Sequence, residues 1–96
     1  MTLHCLYRAP NSPTANRLLE QVAAGDLVLL LGEAVILARE THPELASWVA
    51  AGATLYALRD DLAAHGVAAL APEVTAADFA DWVALSERCV TQVAWH

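Results

Sequence analysis

Lysine is absent, and the only basic side chains besides histidine are five arginines set against eleven acids, for a net charge of −6 at pH 7. Arg8, Arg17, Arg39, Arg59 and Arg88 are scattered along the chain. Direct nucleic-acid binding needs grouped cations to neutralise phosphates, so that class is excluded, and any link to RNA has to run through a partner. Glycine is equally sparse. Gly25, Gly32, Gly52 and Gly66 stand alone at the ends of apolar segments, so no glycine-rich loop exists to cradle a pyrophosphate. No apolar run reaches the length of a membrane span, and Met1-Thr2-Leu3-His4 has neither a basic nor a long apolar leader pattern. A soluble, cytoplasmic protein is expected. The two cysteines, Cys5 and Cys89, are then expected as reduced thiols.

What the chain has in excess is apolar surface. Its 96 residues suffice for one domain over 1–96, and 57% of them are hydrophobic. A domain of this size buries only about 60 to 65% of the surface its unfolded chain exposes. An apolar face left over for another subunit is the implication.

The most informative stretch is Leu27 to Leu31, an unbroken apolar run between Asp26 and Gly32-Glu33. It is too short for a helix and apolar on both sides, which describes an inner strand of a parallel sheet. Around it the chain alternates. Thr2 to Tyr7 reads as a strand with Leu3, Cys5 and Tyr7 on one face and His4 and Leu6 on the other. Ser12-Pro13 starts a helix running to about Ala24, where Gly25 stops it. Ala34 to Ala38 reads as a short buried helix, and Pro43 to about Ala51 as another with Leu45, Trp48 and Val49 inward. Ala53 to Leu58 is a strand and Arg59 opens a short helix that Gly66 closes after His65. Val74 to Ala76 reads as a short strand before a helix capped by Asp78, the alternative being that Thr75 caps through a Thr-x-x-Asp box with Asp78; the helix carries Phe79, Trp82, Val83 and Ser86 on one face. Val90 to Trp95 is the last strand. The fold class is α/β: a three-layer α/β/α domain with a mostly parallel sheet of about five strands.

Chemistry is thin. Cys5 belongs to a strand interior, where burial raises a thiol pKa, and Cys89 sits at a helix C-terminus, whose negative dipole end disfavours a thiolate. Neither is a poised nucleophile, so no catalytic residue is assigned and these two thiols stay as the only candidates. His4, His42, His65 and His96 share no ligand spacing with each other or with the cysteines, so neither metal nor cofactor is expected, and each histidine reads as a surface or turn residue. Asp60-Asp61 and Asp78/Asp81 lie near helix starts, where carboxylates cap. The Arg8 to Pro13 loop follows the first strand at the carboxyl edge of the sheet, where open α/β sheets place ligands. Trp48, Trp82 and Trp95 are the candidate interface residues, since tryptophan is enriched at interface centres; Trp48 and Trp82 also fit core stripes.

In order and spacing, several segments together resemble the TusB/DsrH family of small sulfur-relay subunits: Leu3-His4-Cys5-Leu6-Tyr7-Arg8-Ala9-Pro10, Gly25 to Leu31 with Glu33-Ala34-Val35, Leu55 to Gly66, and Asp78 to Leu85 with the closing Gln92-Val93-Ala94-Trp95. The resemblance implies a DsrE/F/H-like fold and a TusB-like subunit without catalytic activity of its own. It implies TusC-like and TusD-like partners in a heterohexamer, the relay cysteine being carried by the TusD type. The implied pathway is persulfide transfer towards 2-thiolation of the tRNA wobble uridine; in DsrEFH relatives it is sulfur oxidation. DsrH-like members can carry a cysteine in the first helix, and the helix from Pro13 here has none. Two alternatives stay open at this point: a persulfide carrier using Cys5 or Cys89, and an unrelated small α/β module with a ligand at the Arg8 to Pro13 loop.

Overall fold

The computed structural model describes residues 1–96. Five strands, β1 (Thr2–Leu6), β2 (Leu27–Leu30), β3 (Thr54–Leu58), β4 (Val74–Ala77) and β5 (Thr91–Trp95), form one sheet in the order β4-β3-β2-β1-β5. Every neighbouring pair is parallel. The inner-strand reading of the apolar run holds: all four residues of β2 are buried, between β1 and β3.

Parallel strands need crossovers, and four helices supply most of them: α1 (Pro13–Gln21), α2 (Leu45–Ala50), α3 (Arg59–Ala64) and α4 (Phe79–Arg88). Ser12 caps α1 by accepting from the Ala15 N–H at 3.1 Å, with Pro13 in its first turn. That helix ends at Gln21 rather than Ala24, because Val22 turns extended and the Ala23 N–H donates to Asp26 instead. The segment Gly32–Ala38 is a 3-10 helix rather than an α-helix, and it buries Ala34, Val35, Leu37 and Ala38.

The two faces of the sheet are covered unequally. One face packs Leu6, Val28, Leu30, Leu55 and Ala57 under α1, the 3-10 segment, α2 and α3, and Trp48 lies in this cluster at 2% exposure. The other packs Leu3, Cys5, Leu27, Leu29 and Leu31 under a single helix, α4, whose one buried residue is Leu85. Five strands span about 19 Å, while a helix is about 10 Å wide, so one helix covers little more than two strands. The buried sheet residues of this face come from β1 and β2, with Ala77 at the end of β4. On the flanks Tyr56 and Leu58 are half-buried, and Thr75, Gln92 and Ala94 are exposed.

The reading of α4 needs a correction. Asp78 caps it, as the sequence suggests, and the reciprocal box is made with Asp81, at 2.8 and 2.9 Å, rather than with Thr75. Yet Phe79 and Val83 point outward, 70% and 43% exposed, while Leu85 faces the sheet and Trp82 sits at the margin. The helix has two apolar sides, and the one carrying Phe79 and Val83 is left facing solvent. Val90, read as strand, is in the turn before β5 and 97% exposed.

Candidate functional site

The strand parity of β1 divides its chemistry between the two faces. Cys5 goes under α4, fully buried, and His4 goes to the α1 face at 6% exposure. Burial pushes the Cys5 thiol above its ordinary value, and the neighbouring Trp82 indole offsets only part of this. Burial raises the Tyr7 hydroxyl as well, with Cys5 adding to the effect. Cys89 caps the end of α4, half-buried against the same cluster; both thiols are free. Cys5 thus lies in a strand interior and Cys89 at a helix C-terminus, the positions read from the sequence.

His4 is not a surface residue, as the sequence suggested, because its position on β1 aims it under α1. It is satisfied there by a chain of three side chains. Trp95 Nε1–H donates to His4 Nδ1 at 3.1 Å, and His4 Nε2 lies 3.0 Å from Asp26 Oδ2. An indole nitrogen can only donate, so Nδ1 must be the bare nitrogen and Nε2 carries the proton towards Asp26. Asp26 in turn accepts from the Thr2 N–H at 3.1 Å and the Ala23 N–H at 3.0 Å. Burial presses its carboxyl upward, but the Ala23 N–H, His4 and the Thr2 N–H outweigh that and hold it below its ordinary value. No buried side-chain polar atom in the molecule lacks a partner.

The carboxyl edge beside β1 is the topological switch point, since β2 and β5 flank β1 on opposite sides. Trp95 and His96 occupy it. The Tyr7 N–H donates to the Trp95 carbonyl at 3.1 Å, the Tyr7 and His96 rings stack at 4.7 Å, and Thr14 Oγ1 donates to the His96 carbonyl at 3.1 Å. The Arg8 to Pro13 loop therefore lines no cavity; the grooves of the surface lie elsewhere. One of them, about 240 Å³, runs between α4 and the β3-β4 flank, lined by Tyr56, Thr75, Ala77, Asp81, Leu85 and Arg88 among others. No group of three or more His, Cys, Asp or Glu side chains is placed to hold a metal.

The three tryptophans separate. Trp48 is core, so it cannot meet a partner in the folded chain, which corrects the expectation for that residue. Trp82 is half-buried and stands edge-on to exposed Phe79, with ring centroids 5.9 Å apart. Trp95 is half-buried at the edge strand. Sequence reasoning missed the His4–Asp26–Trp95 chain altogether. A signal existed: a histidine flanked by Leu3, Cys5 and Leu6 in a strand of a two-sided sheet has to be buried, and a buried imidazole demands partners.

Comparison with known proteins adds to this geometry. The model of the family described as "DsrH like protein" matches residues 9–92. Protein TusB of Erwinia tasmaniensis is 36% identical over 94 residues, covering 97% of this chain and 99% of that protein. The TusB proteins of Sodalis glossinidius and Salmonella enteritidis are each 34% identical over the same span. In fold, the chain is similar to the crystal structure of the ychN protein from E. coli, with a TM-score of 0.72 at 10% identity, covering 98% of this chain and 97% of that one. With a family model spanning most of its length and relatives matched almost end to end, the chain belongs to the DsrH family, the TusB proteins among its relatives.

Proposed function

We propose that this chain is the non-catalytic subunit of a TusBCD-like sulfur relay, acting as one domain beside TusC-like and TusD-like partners in the cytoplasm, on the route to 2-thiolation of the tRNA wobble uridine. The observation that carries the reading is the state of its thiols. Persulfide transfer moves a sulfane sulfur: an acceptor thiolate attacks the outer sulfur of the donor persulfide, and the donor leaves as thiolate, so no oxidant is consumed. Such an acceptor must be accessible and ionisable. Cys5 is neither, with 0% exposure and a raised thiol pKa, and Cys89 ends a helix instead of starting one. The first helix, Pro13–Gln21, offers no cysteine, which favours the TusB-type role over the DsrH-type role in sulfur oxidation.

Partner binding has a surface available to it. Phe79, Val83 and Val90 are large, apolar and exposed on or beside α4, next to Trp82. No helix is long and apolar enough to cross a membrane, so a bilayer-spanning helix does not account for them. The test is native mass spectrometry of the tagged chain purified from its own cells, with the Phe79→Asp/Val83→Asp variant alongside. The expected result is co-purification with two partners of similar size, an additional sulfur on a partner cysteine and none on this chain, and loss of the partners in the folded variant. A monomeric wild type, or sulfur on Cys5 or Cys89, overturns the reading.

A further inference from the structure

The backbone at the end of β5 is held by its ladder with β1 up to Leu6 and Trp95 and by the Thr14 hydroxyl on the His96 carbonyl, and the Trp95 side chain is held separately. Trp95, the last residue of β5, packs half-buried against the core on the α1 side, and its indole N–H has one acceptor, His4 Nδ1. His4 is held from the opposite side by Asp26, so its ring cannot turn away without breaking the second bond. The Tyr7 N–H to Trp95 carbonyl bond then closes the strand onto β1.

The arrangement works for one protonation state. A proton added at Nδ1 converts the acceptor of the Trp95 indole into a donor, placing two N–H groups head to head at about hydrogen-bond distance. We infer that Trp95 and the end of β5 are latched to the sheet by neutral His4, and that acidification releases them.

The ionisable groups tied into this corner are few. Asp26 is held below its ordinary value, so it stays ionised in the window where the latch opens. Arg17 donates to Thr14 Oγ1 at 3.4 Å and keeps its charge throughout. Tyr7, whose hydroxyl is raised, stays neutral. His96, stacked on Tyr7, is the other group able to gain a proton, and the test must separate it from His4.

The experiment is hydrogen exchange by NMR on the whole chain, corrected for intrinsic rates, from about pH 7.5 to about pH 5. The Trp95 indole N–H reports its bond to His4, the Tyr7 amide reports the Trp95 carbonyl, and the Trp48 indole and the amides of β2 serve as references. The expected result is an about five- to tenfold loss of protection at both reporters, the scale of one lost hydrogen bond, with the references unchanged. In His4→Gln the side-chain amide can donate to Asp26 and accept from Trp95 without titrating, so the loss disappears; in His96→Gln it remains. A wild type with no loss, an equal loss in His4→Gln, or abolition by His96→Gln overturns the latch. Should His4→Gln fail to fold, the ring nitrogen shifts of wild-type His4 decide: Nδ1 gaining a proton as Trp95 loosens supports the latch, and Nδ1 staying bare refutes it.

Discussion

Asp26→Asn leaves the shape of the side chain almost unchanged and removes one acceptor, which makes it a clean probe of how the sheet is tied at its amino edge. The carboxylate takes three donors: the Thr2 N–H on Oδ1, and the Ala23 N–H and His4 on Oδ2. Asparagine offers one oxygen and one NH₂. With its oxygen towards Ala23 and His4, the NH₂ meets the Thr2 N–H. With the amide turned over, it meets the Ala23 N–H, and His4 can adapt only by moving its proton to Nδ1, against the Trp95 indole. Every arrangement leaves a donor facing a donor.

The loss can be sized. Hydrogen bonds to a charged group contribute about 1.5 to 3 kcal/mol and neutral ones about 0.5 to 1.5, so two retained bonds lose roughly 1 kcal/mol each and the orphaned donor adds about 1 to 2. Relief from burying a charge takes some of this back, giving a net of roughly 2 to 4 kcal/mol. A domain of this size is stable by about 5 to 14 kcal/mol. In urea at pH 7, with a slope of about 1 to 1.5 kcal/mol/M, the far-UV CD midpoint should fall by about 2 M. The pH dependence follows from the sign of the shift. Because the folded-state pKa of Asp26 is depressed, its contribution is complete above the unfolded value near about 3.9 and fades only as pH falls through the lower folded value. The deficit should therefore not shrink between pH 7 and about pH 5 and should close only in stronger acid. A loss below about 1 kcal/mol, or a gap that closes between those pH values, refutes this account of Asp26.

Two further contrasts use pairs within the chain. Gly25 and Gly52 both have positive φ, 90° and 86°, but a Cβ at Gly25 meets open space while one at Gly52 comes within 2.9 Å of Ala24 Cα. Gly25→Ala should cost about 1 to 2 kcal/mol from the left-handed backbone alone, and Gly52→Ala about 1 to 3 more from overpacking, so equal losses in urea melts would contradict the structure. For the thiols, a maleimide at about pH 8 should label half-buried Cys89 first and Cys5 only as fast as α4 opens, read by peptide mass; simultaneous labelling would mean that Cys5 is not sealed.

Much of the fold was legible because it rests on local rules. The apolar run Leu27 to Leu31 announced a doubly covered strand, Ser12-Pro13 announced the start of α1, and Asp78 as a cap announced α4; each encodes its element within a few residues. The phase of α4 was not legible. Both of its sides are apolar, and the register of β4 and the crossover to β5, set by pairings distant in sequence, decide which one meets the sheet. The same holds for the site residues. Cys5 could be placed by strand parity alone, but the partners of His4 lie 22 and 91 residues away, beyond any periodicity. Trp48 shared an apolar stripe with Val49, and the stripe could not say that one would be sealed and the other left 42% exposed.

The unequal cover of the two faces ties these observations to the proposed role. On the α1 side, four helical segments close the sheet, and the polar chain from Asp26 to Trp95 fixes its two ends. On the other side, a helix of ten residues lies over five strands and turns its own apolar side outward. Burying an exposed phenylalanine contributes roughly 2 kcal/mol, so Phe79 with Val83 and Val90 represents free energy that the isolated chain does not collect and a partner across α4 would. Such a partner would lie over Cys5 with α4 in between. A sulfur donor reaching that thiol would have to displace α4 from Leu3, Leu27, Leu29 and Leu31, the packing that holds the face together. The geometry that makes α4 suited to assembly thus keeps the thiol beneath it out of the transfer, and in the proposed relay the carried sulfur belongs to a partner.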